Sequence, residues 1–420
     1  MKKVLFLTTR TIYPVNDGRK VVLYNYCRGL AEKHKCEVKL FSILDEKIVN
    51  DFKNKPDFVS EIYCVNSPNK IEKIKNLFFQ TLLFNKWPMQ VSLYYSKNIQ
   101  KKLDFIIKSY NPDIIICDMV RTSEYIKYLN DEVFNKVLDM DDILSNRYKL
   151  QLKKSELSVE DIGAYSKHIP KIIKKFIDNK VFIRFILSKE AKLLEKYEKS
   201  IADNFKKIIF VSPKEVEQFN LLIKEKKAID ITIGVDYEYL SKKTILKKEE
   251  NTICFLGNMN VAHNKDAIKK FLNDIFPKVL KENPNTKLKI IGKCSEEYKN
   301  KFKHYKNIIV TGEVDDIRPY VQSSMIAIAP LTYGSGIKTK ILETMAMGTP
   351  VITNNIGVEG IKVNNNIDII ICNDDESFSE SIIELLRNKE KREEISKQAK
   401  ETIKKFYQWD NILIKFNEII

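Results

Sequence analysis

Short runs of apolar residues alternate with amphipathic stretches along most of the chain. The runs are rich in Ile, Val and Leu without strict alternation, which is typical of strands buried on both faces of a parallel sheet. In the first half they occupy residues 4–9, 36–43, 58–65, 113–119, 135–141 and 207–212. In the second half they occupy residues 252–257, 287–292, 307–312, 325–331, 350–355 and 367–372. Because helical stretches separate the runs, each half is predicted to form a doubly wound α/β domain.

The predicted break between the two domains follows the segment ITIGVD, where the chain becomes polar and rich in Lys and Glu. The predicted domains are residues 1–235 and 236–402, followed by a final stretch, 403–420, with helical apolar spacing. A chain of 420 residues is too long for one ordinary core, so its length also favours two domains.

Composition narrows the class of protein. A hydrophobic fraction of 44% and a charged fraction of 30% are typical of a soluble globular protein. The seven cysteines include no Cys-x-x-Cys pair, which predicts reduced thiols in the cytoplasm. The first apolar run ends at Arg10, too early for a signal peptide, and no run is long enough to span a membrane.

The net charge of +16 favours anionic partners, but a Lys-rich composition alone explains the same number. A nucleic-acid-binding role rests on this charge only, since no aromatic–basic binding motif accompanies it. We therefore expect no nucleic acid partner.

The stretch AIAPLTYGSGIKTKILETMAMGTPVI, residues 327–352, carries the most chemical information. A buried strand leads into a loop containing Gly334, Ser335 and Gly336, and a helix follows. Glycine lets backbone N–H groups approach a ligand closely, and the start of a helix favours anions. Lys340 and Glu343 share one helix face, where the lysine can neutralise a diphosphate and the carboxylate can accept hydrogen bonds from a ribose. An exposed ion pair near a helix start is the alternative interpretation.

This stretch resembles the donor-binding signature of the retaining glycosyltransferase family 4, the group 1 transferases with the GT-B fold. Further segments resemble the same family in order along the whole chain, closest to the branch that exports or decorates bacterial surface polysaccharides. They are RTIYPVNDGRKVVLYNYCRGLAEKHKCEV, EKYEKSIADNFKKIIFVSPKEVEQF, IGVDYEYL, FLGNMNVAHNKDAIKKF and VTGEVDDIRPYVQSSMIAIAPL.

The resemblance implies two Rossmann-like doubly wound parallel-sheet domains facing across a cleft, with the last helix, 403–420, returning to the N-terminal domain. It implies a UDP-, GDP- or similar nucleotide-sugar donor on the C-terminal domain and a glycan or lipid-linked acceptor on the N-terminal domain. It also implies transfer with retention of configuration and no obligatory metal, so no cofactor beyond the donor is expected.

Matched position by position, the resemblance implies that Glu343 binds the ribose and that Gly18 faces the diphosphate and the transferred sugar. The loop from Val314 to Arg318 is expected to lie along the edge of the nucleobase. Gly334 and Gly336 belong to the same donor site.

Two departures from the family pattern change the expected chemistry. Ser335 stands where a glutamate usually touches the transferred sugar, and Asn258 and His263 stand where an Arg–Lys pair is usual. Lys338 and Lys340 are therefore predicted to neutralise the leaving diphosphate.

The N-terminal domain shows no counterpart of the family's frequent histidine. Its place is taken by CDMVRTSEY, which offers Asp118 as a catalytic candidate and Arg121 as an acceptor-side candidate. Asp141 and Asp142 are predicted to contact acceptor hydroxyls.

Asp139 and Asp141 also resemble a metal-binding Asp-x-Asp motif. Short motifs need their structural context, and this pair ends a buried strand, so no metal site is predicted.

Two basic amphipathic stretches are candidates for contact with an anionic membrane. The first is 167–200, with Lys171, Lys174 and Lys175, and the second, weaker candidate is 70–86. The favoured alternative is an ordinary helix with one core face and one solvated face. A cytoplasmic protein is expected, peripheral to the inner face of the cell membrane if either stretch binds lipid.

Two other classes of function remain open. A nucleotide-sugar epimerase of the same fold would convert the donor without an acceptor. A non-catalytic, transferase-like subunit is suggested by Ser335 and by the missing basic pair, and it would bind nucleotide weakly or not at all.

Overall fold

The computed structural model describes residues 1–15, 17–45, 55–152, 180–244, 247–334 and 336–420. It divides into two compact units. Unit 1 comprises Met1–Ile231 and Leu413–Ile420, and unit 2 comprises Thr232–Ile412. Ser335 and the basic residues Lys171, Lys174 and Lys175 lie outside the described residues.

Unit 1 is built on a seven-stranded parallel sheet with the strand order β3-β2-β1-β4-β5-β6-β7. Its strands are β1 (Lys3–Thr8), β2 (Glu37–Leu44), β3 (Glu61–Asn66), β4 (Ile114–Asp118), β5 (Asn135–Asp141), β6 (Lys207–Phe210) and β7 (Ala228–Asp230). Strands β1 and β4 are buried along almost their whole length, as continuous apolar runs predict. The predicted runs coincide with β1 to β6, whereas the short edge strand β7 was not predicted.

The helices of unit 1 cover this sheet. They are α1 (Gly18–Arg28), α2 (Lys70–Asn76), α3 (Met89–Tyr94), α4 (Lys97–Tyr110), α5 (Val120–Ser123), α6 (Leu144–Leu152), α7 (Lys180–Ala202) and α8 (Pro213–Asn220). Helix α1 continues as a π-helical turn over Gly29–Lys33, and α2 continues as one over Leu77–Leu83.

Helix α4 shows how local sequence sets these boundaries. The Ser96 side chain accepts a hydrogen bond from the Asn98 N–H at the start, and Asn111 ends the helix in the left-handed conformation with φ 48°. Leu103 and Ile107 lie one turn apart and are buried against the sheet. The helix is therefore determined by its caps and by one apolar face.

Unit 2 is built on a six-stranded parallel sheet with the order β10-β9-β8-β11-β12-β13. Its strands are β8 (Thr252–Leu256), β9 (Lys287–Ile291), β10 (Ile308–Gly312), β11 (Ile326–Ala329), β12 (Val351–Thr353) and β13 (Ile370–Ile371). Each coincides with a predicted run. Its helices are α9 (Tyr237–Leu240), α10 (Ala262–Lys270), α11 (Phe276–Glu282), α12 (Glu296–Lys301), α13 (Arg318–Ser323), α14 (Thr339–Ala346), α15 (Asp375–Arg387), α16 (Lys389–Phe406) and α17 (Trp409–Ile412).

Both sheets contain a topological switch point. In unit 1 the chain leaves β1 on one side to form β2 and β3, and then returns to the other side of β1 to form β4. In unit 2 the chain does the same around β8, which lies between β9 and β11. Ligands of open parallel sheets bind beyond the carboxyl ends of the strands at such points. Each unit therefore has one expected ligand position, beside β1 and β4 or beside β8 and β11.

The predicted returning segment, 403–420, is divided between the two units. Residues up to Ile412 cluster with unit 2, where the Val235 N–H donates to the Tyr407 carbonyl at 2.8 Å. The 3₁₀ helix Leu413–Glu418 belongs to unit 1, where the fully buried Phe416 ring lies 5.1 Å from that of Tyr26. The first boundary between the units follows Ile231, where residue 235 was expected to end the first domain. The second boundary follows Ile412, where the return was expected to begin at residue 403.

The described residues include no helix that is both long enough and apolar enough to cross a membrane. All seven cysteines are free thiols.

Replacing Phe416 by Ala is expected to lower the free energy of unfolding by about 3 to 5 kcal/mol, because it leaves a cavity against Tyr26. The urea midpoint of unfolding measures the change. Ile414→Ala in the same segment is the matched control, since Ile414 is exposed and its loss should change stability by roughly 0.5 kcal/mol or less. Equal effects of the two variants would show that this segment is not anchored through Phe416.

Candidate functional site

The switch point of unit 2 brings two helix starts to one edge of the sheet. Strands β8 and β11 are hydrogen bonded neighbours, and the segments after them lead into α10 and α14. Neither helix start is capped by a side chain, and neither has an acidic residue in its first turn. By contrast, Ser295, Asp374 and Asn388 cap α12, α15 and α16 in the same unit. The backbone N–H groups at both uncapped helix starts are therefore available to an anionic ligand.

Lys340 lies in the first turn of α14 and points toward α10. Its ammonium group donates to the Asn264 Oδ1 at 2.6 Å and lies 4.6 Å from the centre of the Phe255 ring. Asn264 in turn donates to the Asn258 carbonyl at 2.8 Å, which fixes the loop after β8. Burial, and after it the charge of Lys338, lowers the pKa of Lys340 to about 7. In the described part of the chain no carboxylate forms an ion pair with Lys340.

Lys338 lies just before α14 and is only 8% exposed. Its ammonium group donates to the Gly336 carbonyl at 2.6 Å. Burial lowers its pKa, against the opposite effect of Glu359. Gly334 and Gly336 have φ of 145° and 72°, a region that favours glycine, and a Cβ on Gly336 would meet no atom within 4 Å. The loop thus holds a second cation beside open space.

Glu343 follows one turn after Lys340 on α14. Its carboxylate is half-buried and has no hydrogen-bond partner within the described ranges. Burial raises its pKa, since no neighbouring cation or donor stabilises the charged form. A partly buried carboxylate without a partner costs stability, which makes it a candidate for binding a ligand hydroxyl.

Two aromatic rings stand beside the lysines. His263 and Tyr333 meet edge to face with their centres 6.4 Å apart, and the Tyr333 hydroxyl donates to Asp266 at 2.8 Å. Burial, followed by the charges of Lys340 and Lys338, lowers the pKa of His263. The lowered pKa favours the neutral imidazole, so His263 adds no fixed positive charge to the site.

The remaining predicted donor residues lie at the same sheet edge, but the polar ones among them bind neighbouring residues of the chain. The exposed Asn258 accepts the Asn260 N–H through its Oδ1 at 2.9 Å. The Arg318 guanidinium binds Asp316 with a shortest distance of 2.8 Å and lies over the Tyr239 ring at 3.8 Å. Val314 is half-exposed in the loop after β10, two strands away from β8. A role for Arg318 is therefore limited to shaping this loop unless the Asp316 contact breaks.

The switch point of unit 1 is occupied by an arginine that sequence reasoning did not single out. Arg19, at the start of α1, donates to Asp118 at 2.8 Å, to Asp139 at 2.6 Å and to Asp141 at 3.0 Å. Asp118 also accepts the Thr8 hydroxyl at 2.8 Å. These residues come from the ends of β1, β4 and β5 and form a charge network over the carboxyl edge of the sheet.

The network contains more carboxylates than its central cation can neutralise. Burial raises the pKa of Asp139 to about 7, and Asp118 and Asp141 raise it against the effect of Arg19. Burial also acts to raise the pKa of Asp118, but Arg19 and Arg10 outweigh it and the pKa is lowered. Asp118 and Asp139 are fully buried, whereas the Asp141 side chain is 24% exposed. Of the three, Asp141 is the carboxylate that a ligand can reach.

The backbone at this edge is strained. Met119, directly after β4, has a φ of 63°, and Asp141, the last residue of β5, has a φ of 68°. The register between β5 and β6 shifts beside Asp141. Non-glycine residues adopt such values rarely, and they cluster at functional sites. The strain therefore marks the same place as the charge network.

The other predicted residues of unit 1 are placed less favourably. Asp142 is turned to Arg147, whose Nε donates to it at 2.7 Å, and burial raises the pKa of Asp142 to about 6. Arg121 reaches the Thr9 hydroxyl at 3.4 Å. Gly18 opens α1 beside Asp17, whose carboxylate already caps that helix start. Their assigned roles stay predictions.

Sequence reasoning missed Asn264, Tyr333 and Arg19. Only for Arg19 did a signal exist, because Asp118 and Asp139 end apolar strand-like runs, and buried carboxylates require a cation. The Asp139 and Asp141 carboxylates that resembled a metal motif bind the Arg19 guanidinium instead.

Residues 250–388 match the family model of the glycosyl transferases group 1. The matched range contains Lys338, Lys340, Glu343 and the other predicted donor residues of unit 2. A Klebsiella pneumoniae protein, named as an uncharacterized 44.6 kDa protein in the cps region, is 27% identical over 238 residues, which span 55% of this chain and 60% of that protein.

Solved structures match over the full length. A glycosyltransferase from Rickettsia africae has a TM-score of 0.64 at 17% identity, covering 100% of this chain and 97% of that one. The Anabaena protein HepE, in complex with UDP and glucose, has a TM-score of 0.61 at 11% identity, covering 100% and 99%. The fold is GT-B. Together with the two parallel-sheet units, these similarities confirm the predicted fold class.

Lys340→Met is expected to weaken binding of UDP by about tenfold to 100-fold, because it removes a charge-assisted hydrogen bond.

The same change should raise the unfolding temperature, because the wild-type lysine is held with its pKa near 7, below its ordinary value. The unfolded chain binds more protons than the folded chain between these two pKa values, so wild-type stability rises with pH there. The advantage of the variant should therefore be largest at or below neutral pH. Calorimetry with UDP and thermal unfolding measure the two effects.

Lys269→Met on the exposed face of α10 is the matched control and should change neither quantity. A structural lysine would behave in the opposite way, with lowered stability and unchanged UDP affinity, and that outcome would remove Lys340 from the site.

Proposed function

We propose that this chain is a retaining glycosyltransferase of the surface-polysaccharide branch. It would move a sugar from a nucleoside-diphosphate sugar to a glycan or lipid-linked acceptor during assembly of a bacterial surface polysaccharide. The observation that carries the proposal is the set of groups at the β8–β11 switch point. Two uncapped helix starts, two lysines and an unpartnered carboxylate one turn further match the diphosphate and ribose of such a donor.

In this proposal Lys338 and Lys340 bind the diphosphate and Glu343 accepts hydrogen bonds from the ribose hydroxyls. The loop from Val314 to Arg318 edges the base. The match of this region to the group 1 transferases supports the assignment, and HepE is a GT-B neighbour with UDP and glucose bound. We assign charge neutralisation to the lysines, so no metal ion takes part in the proposal.

The proposed reaction retains the configuration of the transferred sugar. The bond between the anomeric carbon and the diphosphate oxygen breaks, and its electron pair passes to that oxygen. The acceptor hydroxyl oxygen bonds to the same carbon from the vacated face, and its proton passes to the departing phosphate oxygen. Positive charge preorganised at the leaving group lowers the barrier most, because charge develops there in the transition state.

We assign the acceptor to the unit 1 switch point. Asp141 is the accessible carboxylate there, and Asp118 and Asp139 would act through Arg19 as positioning residues. A relative from a cps region supports a polysaccharide context. Because such acceptors are carried on lipid, we place the protein in the cytoplasm at the inner face of the cell membrane.

Glu343→Ala is expected to lower kcat/KM for the donor by about 100-fold or more, since a carboxylate that accepts two hydrogen bonds contributes about 3 kcal/mol. The measurement is release of nucleoside diphosphate from a panel of nucleotide sugars with an extract of lipid-linked glycans as acceptor. Glu380→Ala, an exposed carboxylate on α15, is the matched control and should keep the wild-type rate. Wild-type turnover by Glu343→Ala would refute the site assignment.

The same assay separates the other two classes of function. An epimerase would convert the donor without an acceptor, and a non-catalytic subunit would neither bind UDP, GDP or ADP in a thermal-shift screen nor release product. Retention is tested by the anomeric configuration of the product in an NMR spectrum.

A further inference from the structure

The segment formed by α2 and its π-helical continuation packs on unit 1 with its polar side. Lys73 is buried, with its ammonium group 2.8 Å from Asp45. Thr81 is buried with its hydroxyl 2.8 Å from that of Ser92, and Asn76 donates to the Ser92 carbonyl at 3.0 Å. A surface helix ordinarily turns its apolar side to the core. In this segment Leu77 packs against the core, but the other contacts named here are polar and most of the large apolar side chains point away from it.

Its large apolar side chains face outward as a result. We call them the 71–84 face, which consists of Ile71, Ile74, Phe78, Leu82, Leu83 and Phe84. Each is at least half exposed, from 50% for Ile74 to 67% for Ile71. Phe79, 45% exposed, packs edge to face on Phe78 at 5.2 Å. The core does not explain a continuous apolar surface of this kind, which marks a place where something else binds.

Helix α7 extends the same surface. The Lys189 ammonium group donates to the Leu82 carbonyl at 3.2 Å, which places this side of α7 beside the 71–84 face. Val181 and Phe185 lie two turns and one turn before Lys189 on that side, and they are 74% and 60% exposed. Two elements therefore present apolar side chains to solvent at one place.

The exposed charges at this surface are basic. Between residues 70 and 86 the chain has four lysines and one acid, Glu72. Glu72 accepts the Ser96 hydroxyl at 2.7 Å, and Lys73 is paired with Asp45, so the exposed ions are Lys70, Lys75 and Lys86. Protein interfaces are depleted in lysine, whereas lysines around phenylalanine and leucine are typical of helices that lie on anionic bilayers.

We propose that the 71–84 face docks unit 1 on an anionic membrane surface. The phenylalanine and leucine side chains enter the boundary between headgroups and acyl chains, and the three exposed lysines bind lipid phosphates. This proposal adds a docking surface to the membrane location proposed above. It depends on that earlier proposal only for the identity of the bilayer. Binding to lipid requires neither the donor site nor transfer activity, so the two can fail separately.

The test is co-sedimentation of the full chain with vesicles of phosphatidylcholine alone and with vesicles containing phosphatidylglycerol. The wild-type chain should bind the anionic vesicles, bind the neutral ones at least tenfold more weakly, and dissociate as salt is raised. The double variant F78E/L82E should lose at least tenfold in affinity for the anionic vesicles. Both replaced side chains are more than half exposed, so the fold should persist, and an unchanged thermal shift with UDP would verify this.

F105E/L221E is the matched control, because it introduces the same two charges at exposed Phe and Leu positions of unit 1 outside the 71–84 face. It should bind vesicles as the wild type does. Absence of wild-type binding, or equal binding by F78E/L82E, would overturn the proposal. So would a wild-type dimer that F78E/L82E converts to a monomer without any vesicle binding, because the occupant would then be a second copy of this chain.

Discussion

The ammonium group of Lys340 is held at the carboxyl edge of a parallel sheet with an amide, Asn264, as its hydrogen-bond partner. A second ammonium group, that of Lys338, lies close enough to lower its pKa further. Burial of a cation without a counterion costs stability, and an arrangement of this kind persists where a ligand supplies the missing charge. The uncapped starts of α10 and α14 add partial positive charge to the same place. The geometry of the β8–β11 switch point is what brings all of these groups together.

The two switch points of the chain differ in the sign of the charged groups that predominate there. In unit 1 three carboxylates surround Arg19 and exceed its single charge, and Asp141 is the one of the three that solvent reaches. In unit 2 Lys340 has no ion-pair partner among the described residues, and Glu343 has no hydrogen-bond partner among them. A surplus of carboxylates is suited to accepting hydrogen bonds from a neutral, hydroxyl-rich molecule, whereas a buried amine without a counterion is suited to an anion. The division of donor and acceptor between the units in our proposal follows from this difference.

Much of the fold could be predicted because burial on both faces leaves a local record in the sequence. The strands β1 to β6 and β8 to β13 all coincide with apolar runs, while β7 has three residues and too little pattern to be recognised. Lys340 and Glu343 could be predicted since both lie on one helix after a glycine loop. Asn264 and Arg19 could not be assigned in the same way, because Lys340, the partner of Asn264, and the three carboxylates around Arg19 are distant in sequence and come close only in the fold. The 71–84 face shows the limit most clearly: its amphipathic pattern was visible, but which side would be buried was not.

The central claim is that the buried amine of Lys340, which has no ion-pair partner among the described residues, binds a diphosphate in unit 2. Calorimetry of UDP binding in buffers of different ionisation enthalpy, at about pH 8, tests it most directly. The free β-phosphate is then fully ionised, and Lys340, whose pKa is about 7, is largely neutral before binding. Because the diphosphate raises that pKa, the account predicts uptake of about one proton per UDP in the wild type and close to none in Lys340→Met. Binding of UDP without proton uptake, or the same uptake in both proteins, would contradict it.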